Sequence, residues 1–331
     1  MFRIFSIIII ILIAFGFLFF WQGIYLPEVS ELEPKSEKIF SIDKGENVFK
    51  IASDLKDEEL IKSKYFFIVY LVFSGKARKI QAGSYSIDSS MNIAEIAKKI
   101  HSGDVVKIKI TIPEGFSLKQ IEAELSSKLR KNVFINLKTK EFRNEFNFLR
   151  DTSEEANLEG FLFPDTYIFK TDESEKEIAR KLLANFDKKI SSDLEEEISR
   201  QRKTIFEIIT MASLVEKEVK ITDDKKIVAG ILWKRLAIGM PLQVDATITY
   251  LTGKKTTMVS KEETKIDSPY NTYKYRGLPV GPIANPGLES ILAVVFPENS
   301  NYWYYLSAPG NKTIFSRTLE EHNWAKAKYL R

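Results

Sequence analysis

The segment TIFEIITMASLVEKEVK, from Thr204 to Lys220, is apolar around almost its whole helical circumference and then becomes acidic. Its apolar positions are Ile205, Ile208, Ile209, Met211, Ala212, Leu214 and Val215. A helix that is apolar on nearly every side belongs in the core of a protein. The segment therefore predicts a buried helix whose last turn carries two carboxylates, Glu216 and Glu218.

The two carboxylates are separated by a single residue, Lys217. Two steps along an α-helix rotate a side chain by about 200°, so Glu216 and Glu218 cannot converge on one bond. An acid that is flanked by apolar side chains has its charged form disfavoured, and its pKa rises toward the range that a general acid needs near neutral pH. The alternative is two solvated glutamates at a fraying helix end. This segment alone favours that plainer interpretation.

The composition is that of a globular protein with 331 residues, which is enough for two or three domains. A net charge of +4 without a long basic block argues against nucleic acid as a partner. The chain has no cysteine, and its two histidines, His101 and His322, are far apart. Disulfides and thiolate chemistry are excluded, a histidine-rich metal site is not expected, and no cofactor is indicated. Acid–base chemistry must use carboxylates, lysines or tyrosines.

The N-terminus carries no charge between Arg3 and Glu28. At 1.5 Å per residue, the stretch from Ile4 to Trp21 is about 27 Å long, close to the thickness of the hydrocarbon core of a membrane. Aromatic residues at its end suit the membrane interface. Residues 1–26 are therefore predicted to form a transmembrane anchor.

The charges around this span predict its orientation. Arg3 precedes the span, and the nearest positive charge after it is Lys35. By the positive-inside rule, a short N-terminus stays in the cytoplasm and the remainder of the chain is exported. The alternative is a cleaved signal peptide, but the apolar core is long for one and no small-x-small cleavage site follows.

The exported part begins with a predicted linker at 27–37, which is rich in proline and charge. Three strand–turn–helix patterns follow, starting near Phe40, Tyr85 and Ile110. Their predicted helix N-caps are Asn47, Asn92 and Ser117, and Glu95 and Gln120 complete capping boxes in the second and third copies. These patterns predict a small α/β module over 38–105 and a second small α/β unit with a connector over 106–155.

Residues 156–331 differ, because long helical patterns alternate with loops rich in Gly, Pro, Asn and Tyr. IANPGLESILAVVF predicts a helix with Asn285 as N-cap and Pro286 at its first position. A hairpin is predicted around Pro309-Gly310 and a last helix over Leu319–Leu330. The whole chain is therefore predicted to be an α+β multidomain protein with an apolar N-terminal helix.

Three stretches of this region combine aromatic and polar residues that suit sugar rings. They are EGFLFPDTY (159–167), GMPLQVDATITY (239–250) and SPYNTYKYRGLPVGPIANPG (268–287), and their candidate ligand-binding residues are Gln243, Asp245, Tyr270, Asn271 and Tyr273. Structural alternatives stay open for each: Asp245 can cap a helix, Asn271 can hold an Asx turn, and the tyrosines can be core residues.

MASLVEKE, GMPLQVDATITY, SPYNTY, GLPVGPIANPG and FSRTLEEHN, in this order, resemble the endolytic murein transglycosylase family (MltG/YceG-like). EGFLFPDTY and the apolar N-terminus agree with that family, and the resemblance covers nearly the whole chain. It implies a lyase, anchored in the inner (cytoplasmic) membrane, that cuts peptidoglycan glycan strands internally and leaves 1,6-anhydro-N-acetylmuramic acid ends. Two positions depart from the family pattern: Ala246 and Val280 stand where proline is common.

The resemblance also implies how the domains divide the work. Glu218 corresponds to the catalytic acid of the family, 38–105 to a LysM-like module, and 156–331 to the periplasmic catalytic domain. One carboxyl is enough for this chemistry, because the C6 hydroxyl of the sugar is the nucleophile. Expected partners are glycan strands, the membrane and penicillin-binding synthases.

Gln243, Asp245, Tyr270, Asn271 and Tyr273 are then expected to hold the saccharide, while Glu216 and Lys217 tune charge or pair outward. Two alternatives stay open. One is a non-catalytic, membrane-anchored peptidoglycan-binding scaffold. The other is a hydrolytic muramidase in which a distant acid such as Asp245 or Asp165 assists Glu218.

Overall fold

The computed structural model describes residues 2–27, 37–88, 90–133, 135–254 and 259–329. Most of the predicted linker, residues 28–36, lies outside this set. The chain forms two compact units, one of residues 1–108 with 168–173 and the other of residues 109–167 with 174–331. Most of the small α/β unit predicted over 106–155 therefore belongs to the same compact body as the C-terminal region.

The first unit contains a two-stranded antiparallel sheet and four helices. Its elements are α1 (Phe2–Tyr25), β1 (Glu37–Ile42), α2 (Val48–Asp57), α3 (Lys64–Phe73), β2 (Gly83–Asp88) and α4 (Ile93–Ser102). In the sheet, Phe40 of β1 lies opposite Tyr85 of β2, and both side chains are buried. Two further strands, β3 (Lys107–Thr111) and β4 (Thr166–Lys170), contain the boundaries between the units.

The core of the first unit follows from the helical periodicity of the sequence. Ile51 and Leu55 of α2, and Ile96 and Ile100 of α4, are fully buried, as their spacing predicts. Asn92 caps α4 by accepting a hydrogen bond from the Glu95 N–H at 3.0 Å, and Glu95 accepts one in return from the Asn92 N–H at 2.9 Å. The predicted N-caps and the capping box are confirmed.

The apolar N-terminal segment forms the single long helix α1. Its part from Ile7 to Tyr25 has 19 residues and a mean hydropathy of 2.6, and little of it is buried. The predicted apolar helix is confirmed, and its length and composition are sufficient to cross a membrane.

The second unit is mainly helical and carries one β-hairpin. Its helices are α5 (Leu118–Leu129), α6 (Glu175–Lys189), α7 (Ser192–Arg200), α8 (Ile205–Glu218), α9 (Thr222–Ala237), α10 (Asp245–Thr252), α11 (Leu288–Val295) and α12 (Leu319–Tyr329). The hairpin pairs β5 (Tyr304–Ala308) with β6 (Lys312–Ser316) around Pro309-Gly310, as predicted. The mixed α+β class and the final helix are confirmed.

Helix α8 is the centre of this unit. Thr204 and Glu207 form a capping box at its start, with the Glu207 N–H donating to Thr204 Oγ1 at 3.1 Å. All eight residues from 208 to 215 are buried. The helix packs against α7, α9, α10 and α11, so the quoted segment organises the unit as its apolar pattern predicts.

The predicted start of α11 is wrong. The helix begins at Leu288 with Gly287 as its N-cap, not at Asn285. Asn285 is buried, and its side chain instead accepts from the Leu162 N–H at 2.8 Å and donates to the Phe116 carbonyl at 2.9 Å. The Asn285 side chain therefore forms hydrogen bonds with two distant backbone groups and does not cap the helix that follows it.

Replacing Leu214 of α8 with alanine should destabilise the second unit by about 2–5 kcal/mol, because it leaves a cavity in a closely packed core. Leu292 on α11 is the matched control, since it is 38% exposed and its replacement by alanine should cost far less. Denaturant unfolding of the full-length protein in detergent measures both changes. Equal losses for the two variants would contradict the central position of α8.

Candidate active site

The candidate site is built around Glu218, the last residue of α8. The helix stops there because Val219 adopts an extended conformation, with φ −140° and ψ 148°. Ser307 of β5 donates a hydrogen bond from Oγ to the Glu218 carbonyl oxygen at 2.8 Å. The hairpin is thereby fixed against the end of the buried helix.

The Glu218 carboxyl is surrounded by protein, although the residue as a whole is only half-buried. The hydroxyl of Tyr305 and the backbone N–H of Ala246 donate to this carboxyl. Burial, and after it the negative charge of Asp245, raise the pKa of Glu218 to about 7, against these two hydrogen bonds and the positive charge of Arg235. Both protonation states of Glu218 are therefore populated near neutral pH.

Ala246 is one of the two departures from the family pattern, and its N–H is used here. Proline has no N–H, so a proline at this position could not donate to the Glu218 carboxyl. Ala246 is the second residue of α10, where the free amides of a helix N-terminus favour a negative charge. The alanine therefore provides the site with a hydrogen-bond donor that a proline could not provide.

Arg235 orders the backbone on both sides of the site. Its buried guanidinium donates to the Leu242 carbonyl at 2.8 Å, just before α10, and to the Trp303 carbonyl at 2.9 and 2.6 Å, just before β5. A single rigid group thus fixes the two segments that carry Asp245 and Tyr305.

Glu216 points to a different part of the unit. Its carboxylate pairs with the buried Lys225 at 3.5 Å and accepts from the Gly287 N–H at 3.1 Å and from Ser290 Oγ at 2.6 Å, at the start of α11. The expectation that Glu216 pairs outward is wrong: it is a structural acid held inside the unit. Lys217 is exposed and donates to the Gly115 carbonyl at 3.2 Å. The divergence of Glu216 and Glu218 is confirmed.

Two of the predicted ligand-binding residues, Asp245 and Tyr273, lie near Glu218, and Gln243 comes two residues before Asp245 in the same turn. Gln243 and Asp245 are exposed, and the Tyr273 hydroxyl donates to Asp245 Oδ1. Asp245 is the first residue of α10 and does not cap it; the N-cap is Val244. Gln243 has φ +53°, a left-handed conformation that costs a non-glycine residue about 1 kcal/mol. Such strain is typical of functional turns.

The other two predicted ligand-binding residues have different surroundings. Asn271 is fully buried; its amide donates to the carbonyls of Thr264 and Ile266, and its Oδ1 accepts from the Tyr273 N–H at 2.9 Å. This is the Asx-turn alternative, and it leaves the Asn271 side chain no capacity for a ligand, so its assignment as a direct contact is corrected.

Tyr270 is half-buried, and its ring centroid lies 5.1 Å from that of Tyr250.

Glu159 is the residue that sequence reasoning missed. It is buried and accepts from the Leu118 N–H at 2.9 Å, from the Tyr250 hydroxyl at 3.3 Å and from Asn285 Nδ2 at 3.0 Å. Burial raises the pKa of Glu159 to about 7, against the hydrogen bonds that lower it. Glu159 lies in the stretch EGFLFPDTY, but no sequence pattern links it to hydrogen-bond partners that are up to 126 residues away.

Within the described ranges, no group of three or more His, Asp and Glu side chains is placed to hold a metal ion. The groups around Glu218 that can exchange or donate protons are a carboxylate, Asp245, and two phenols, Tyr273 and Tyr305. Fold and site together define a mixed α+β protein with a carboxyl of raised pKa at the end of a buried helix.

The chain belongs to the YceG-like family, which it matches over residues 40–328. It is 35% identical to the endolytic murein transglycosylase of Bacillus subtilis, over 94% of this chain and 90% of that protein. It is 29% identical to the protein of the same name from Streptococcus pneumoniae, over 98% of this chain and 64% of the longer relative. A crystal structure of a yceG-like protein from Listeria monocytogenes matches with a TM-score of 0.57 and 32% identity, covering 88% of this chain and 100% of that one.

Glu159→Gln should lower the thermal unfolding temperature of the second unit by several degrees. The amide would turn N–H donors toward the donors of Leu118 and Asn285, at a cost of about 1–3 kcal/mol. Because the folded state raises the pKa of Glu159, its stabilising contribution is full below pH 4.5 and is lost as pH rises through about 7. Thermal melts across this range should show the largest difference at the acid end. A difference that grows with pH would contradict the assignment.

Proposed function

We propose that this protein is an endolytic murein transglycosylase. It is a lyase that cleaves the bond between N-acetylmuramic acid and N-acetylglucosamine inside peptidoglycan strands and leaves 1,6-anhydro-N-acetylmuramic acid ends. The membership of the YceG-like family and the names of the relatives support this activity. The observation that carries it is one carboxyl, that of Glu218, whose pKa is raised to about 7 by burial at the end of α8 and by the neighbouring charge of Asp245.

In the first step, protonated Glu218 donates its proton to the glycosidic oxygen. The C1–oxygen bond breaks, positive charge develops at C1 of the muramic acid, and the departing sugar keeps the proton as a free hydroxyl. A pKa of about 7 leaves a large fraction of Glu218 protonated at neutral pH, which an ordinary glutamate would not allow.

In the second step, the Glu218 carboxylate accepts the proton of the C6 hydroxyl while O6 bonds to C1. No water is consumed, and the carboxyl returns to its protonated state. Between the two steps the group is negative, and the donors on Tyr305 and Ala246 stabilise that form. One residue therefore acts as acid and then as base, and the surrounding groups favour neither state completely.

The proposed saccharide contacts are the exposed Gln243 and Asp245 and the half-buried Tyr273 and Tyr270. Gln243 and Asp245 offer amide and carboxylate groups, and Tyr273 and Tyr270 offer aromatic faces with hydroxyl groups. Asn271 acts by holding the loop that carries the two tyrosines. Tyr305 is proposed as a positioning residue that orients the acid.

We further propose that α1 is a single-pass anchor in the cytoplasmic (inner) membrane, with a cytoplasmic N-terminus and the rest of the chain outside the cytoplasm. The length and apolar composition of Ile7–Tyr25 and the position of Arg3 support this topology. Residues 38–105 are proposed to be a LysM-like module that binds glycan strands. Anchoring keeps the enzyme near strands as synthases of the penicillin-binding type produce them, where cleavage would end polymerisation.

Two alternative functions are distinguishable on the same substrate. In a hydrolytic muramidase, a second carboxylate would activate water and the products would have reducing ends. Asp245 is the candidate for that role; Asp165 bonds to Asn185 at 3.0 Å and pairs with Lys189 at 3.9 Å. A non-catalytic scaffold would bind strands and release nothing.

Glu218→Gln should abolish release of anhydro-ended muropeptides from purified sacculi, because an amide has no proton to donate at this pH. The matched control is the same substitution two residues earlier. Glu216→Gln should reduce thermal stability, since it leaves Lys225 buried without its countercharge, yet keep appreciable activity at a temperature where it is folded.

Chromatography with mass spectrometry of the released muropeptides measures both variants. Reducing ends from the wild type would establish the hydrolase, and binding without release would establish the scaffold. Activity that survives Glu218→Gln and disappears with Glu216→Gln would overturn the choice of catalytic acid.

The pH profile should shift in opposite directions when the neighbours of Glu218 are changed. Activity requires protonated Glu218, so it should fall as pH rises through about 7. Tyr305→Phe and Ala246→Pro each remove a hydrogen-bond donor to the carboxylate. The pKa of Glu218 should therefore rise, and the fall in activity should move to higher pH. Asp245→Asn removes a repelling negative charge, so the fall in activity should move to lower pH. If activity falls at the same pH in all three variants as in the wild type, Glu218 is not the titrating group.

A further inference from the structure

Helix α3 is apolar on every side, although only part of it is covered by protein. Its sequence is KYFFIVYLVF, and only Phe67 and Leu71 are fully buried in the core of the first unit. Tyr65, Val72 and Phe73 are 70%, 61% and 86% exposed. Together with the half-buried Val69, they follow the spacing i, i+4, i+7 and i+8, which places them on one helical stripe. A continuous apolar stripe of this size calls for a partner.

The contacts of α3 with α1 fix how deep the helix lies. The Phe66 ring centroid is 5.7 Å from that of Phe19 and 5.6 Å from that of Phe20. It also lies over Gly23, where an added Cβ would come within 2.2 Å of the Phe66 ring, so only glycine allows this close approach. All three α1 residues belong to the apolar segment Ile7–Tyr25.

The uncharged part of α1 is slightly longer than the hydrocarbon core of a membrane is thick. From Ile4 to Tyr25 it extends about 33 Å as a helix, and the hydrocarbon core is about 30 Å thick. If α1 spans a membrane, the three residues that Phe66 contacts lie in the last two turns of the span, near the membrane surface on the side away from Arg3. Helix α3 must then lie at the boundary between acyl chains and headgroups.

The charges around α3 suit that boundary. From residue 60 to residue 87 every charged side chain is basic: Lys62, Lys64, Lys76, Arg78 and Lys79. They flank the apolar helix at both ends, and Lys62, Arg78 and Lys79 are exposed. Basic side chains at the edge of an apolar helix are attracted to anionic phospholipid headgroups.

We propose that α3 is a membrane-surface helix that inserts its stripe of Tyr65, Val69, Val72 and Phe73 among the acyl chains of an anionic bilayer. The proposal rests on the proposed anchorage by α1. The first unit is then attached to the membrane at two points, the span and the surface helix. Two attachments hold this unit in a fixed orientation on the membrane, which a single flexible tether would not do.

The test uses the absence of cysteine from the chain, which allows single labels in the full-length protein. Ile13→Cys reports the middle of α1, Phe73→Cys reports α3, and Ile238→Cys is the control at an apolar residue of the second unit that is 64% exposed. Each variant carries an environment-sensitive fluorophore and is reconstituted into vesicles of phosphatidylglycerol and phosphatidylcholine. Fluorescence is then measured with quenchers attached to the acyl chains and, separately, with a water-soluble quencher.

The acyl-chain quencher should remove most of the fluorescence from the labels at positions 13 and 73 and little from the label at position 238. If the acyl-chain quencher reaches the label at position 13 but only the water-soluble quencher reaches the label at position 73, the proposal is overturned. The anchorage by α1 would remain intact. A label at position 73 protected from both quenchers would mean that protein, not lipid, covers α3, which also overturns it. A label at position 13 that only the water-soluble quencher reaches would refute the anchorage itself.

The charges provide a second measurement, with the label at the other end of the stripe. Arg78→Glu with Lys79→Glu, placed on exposed positions, should reduce acyl-chain quenching of a label at Tyr65→Cys in anionic vesicles. Quenching at Ile13→Cys should be unchanged. Unaltered quenching at position 65 in both anionic and zwitterionic vesicles would overturn the role of the basic residues in docking.

Discussion

The chemistry proposed for this protein depends on keeping one carboxyl partly dry. Glu218 lies at the end of a helix that is buried over eight consecutive residues, and the surrounding protein raises its pKa from 4.5 to about 7. A shift of this size corresponds to about 3 kcal/mol between the two protonation states. Burial within the protein favours the protonated form, while the hydrogen bonds from Tyr305 and Ala246 stabilise the ionised form. A residue that must both give and take a proton needs this balance.

The rest of the second unit positions those few groups. Arg235 fixes the backbone on either side of the site, and Asn271 orders the tyrosine-rich loop. Glu216 uses its charge to join α8 to the start of α11 through Gly287 and Ser290. The two acids of this motif thus have separate surroundings, and the proposed chemical role belongs to Glu218 alone, because a step of two residues on a helix sends them in opposite directions.

The sequence predicts the elements well where the signal is local. The periodic apolar residues of α2, α4 and α8, the capping boxes of α4 and α5 and the hairpin at Pro309-Gly310 depend on neighbours within a few positions, and all are confirmed. Asn285 was assigned wrongly because its partners, Leu162 and Phe116, are distant in the chain. Glu159 and Tyr305 escaped notice for the same reason: no spacing rule links either residue to its partners. The proposed catalytic role of Glu218 rests on family resemblance, since its own segment favours two solvated glutamates at a helix end.

The most direct test is to observe the ionisation of Glu218 itself. Infrared difference spectra of protein labelled with ¹³C at glutamate carboxyls, recorded during a pH titration, report each protonated acid. Subtracting the spectra of Glu218→Gln isolates this residue from Glu159, whose pKa is also raised to about 7. The account predicts a carboxyl that titrates near 7. Titration near the ordinary value of 4.5 would show that Glu218 is solvated, and it could not then serve as the acid.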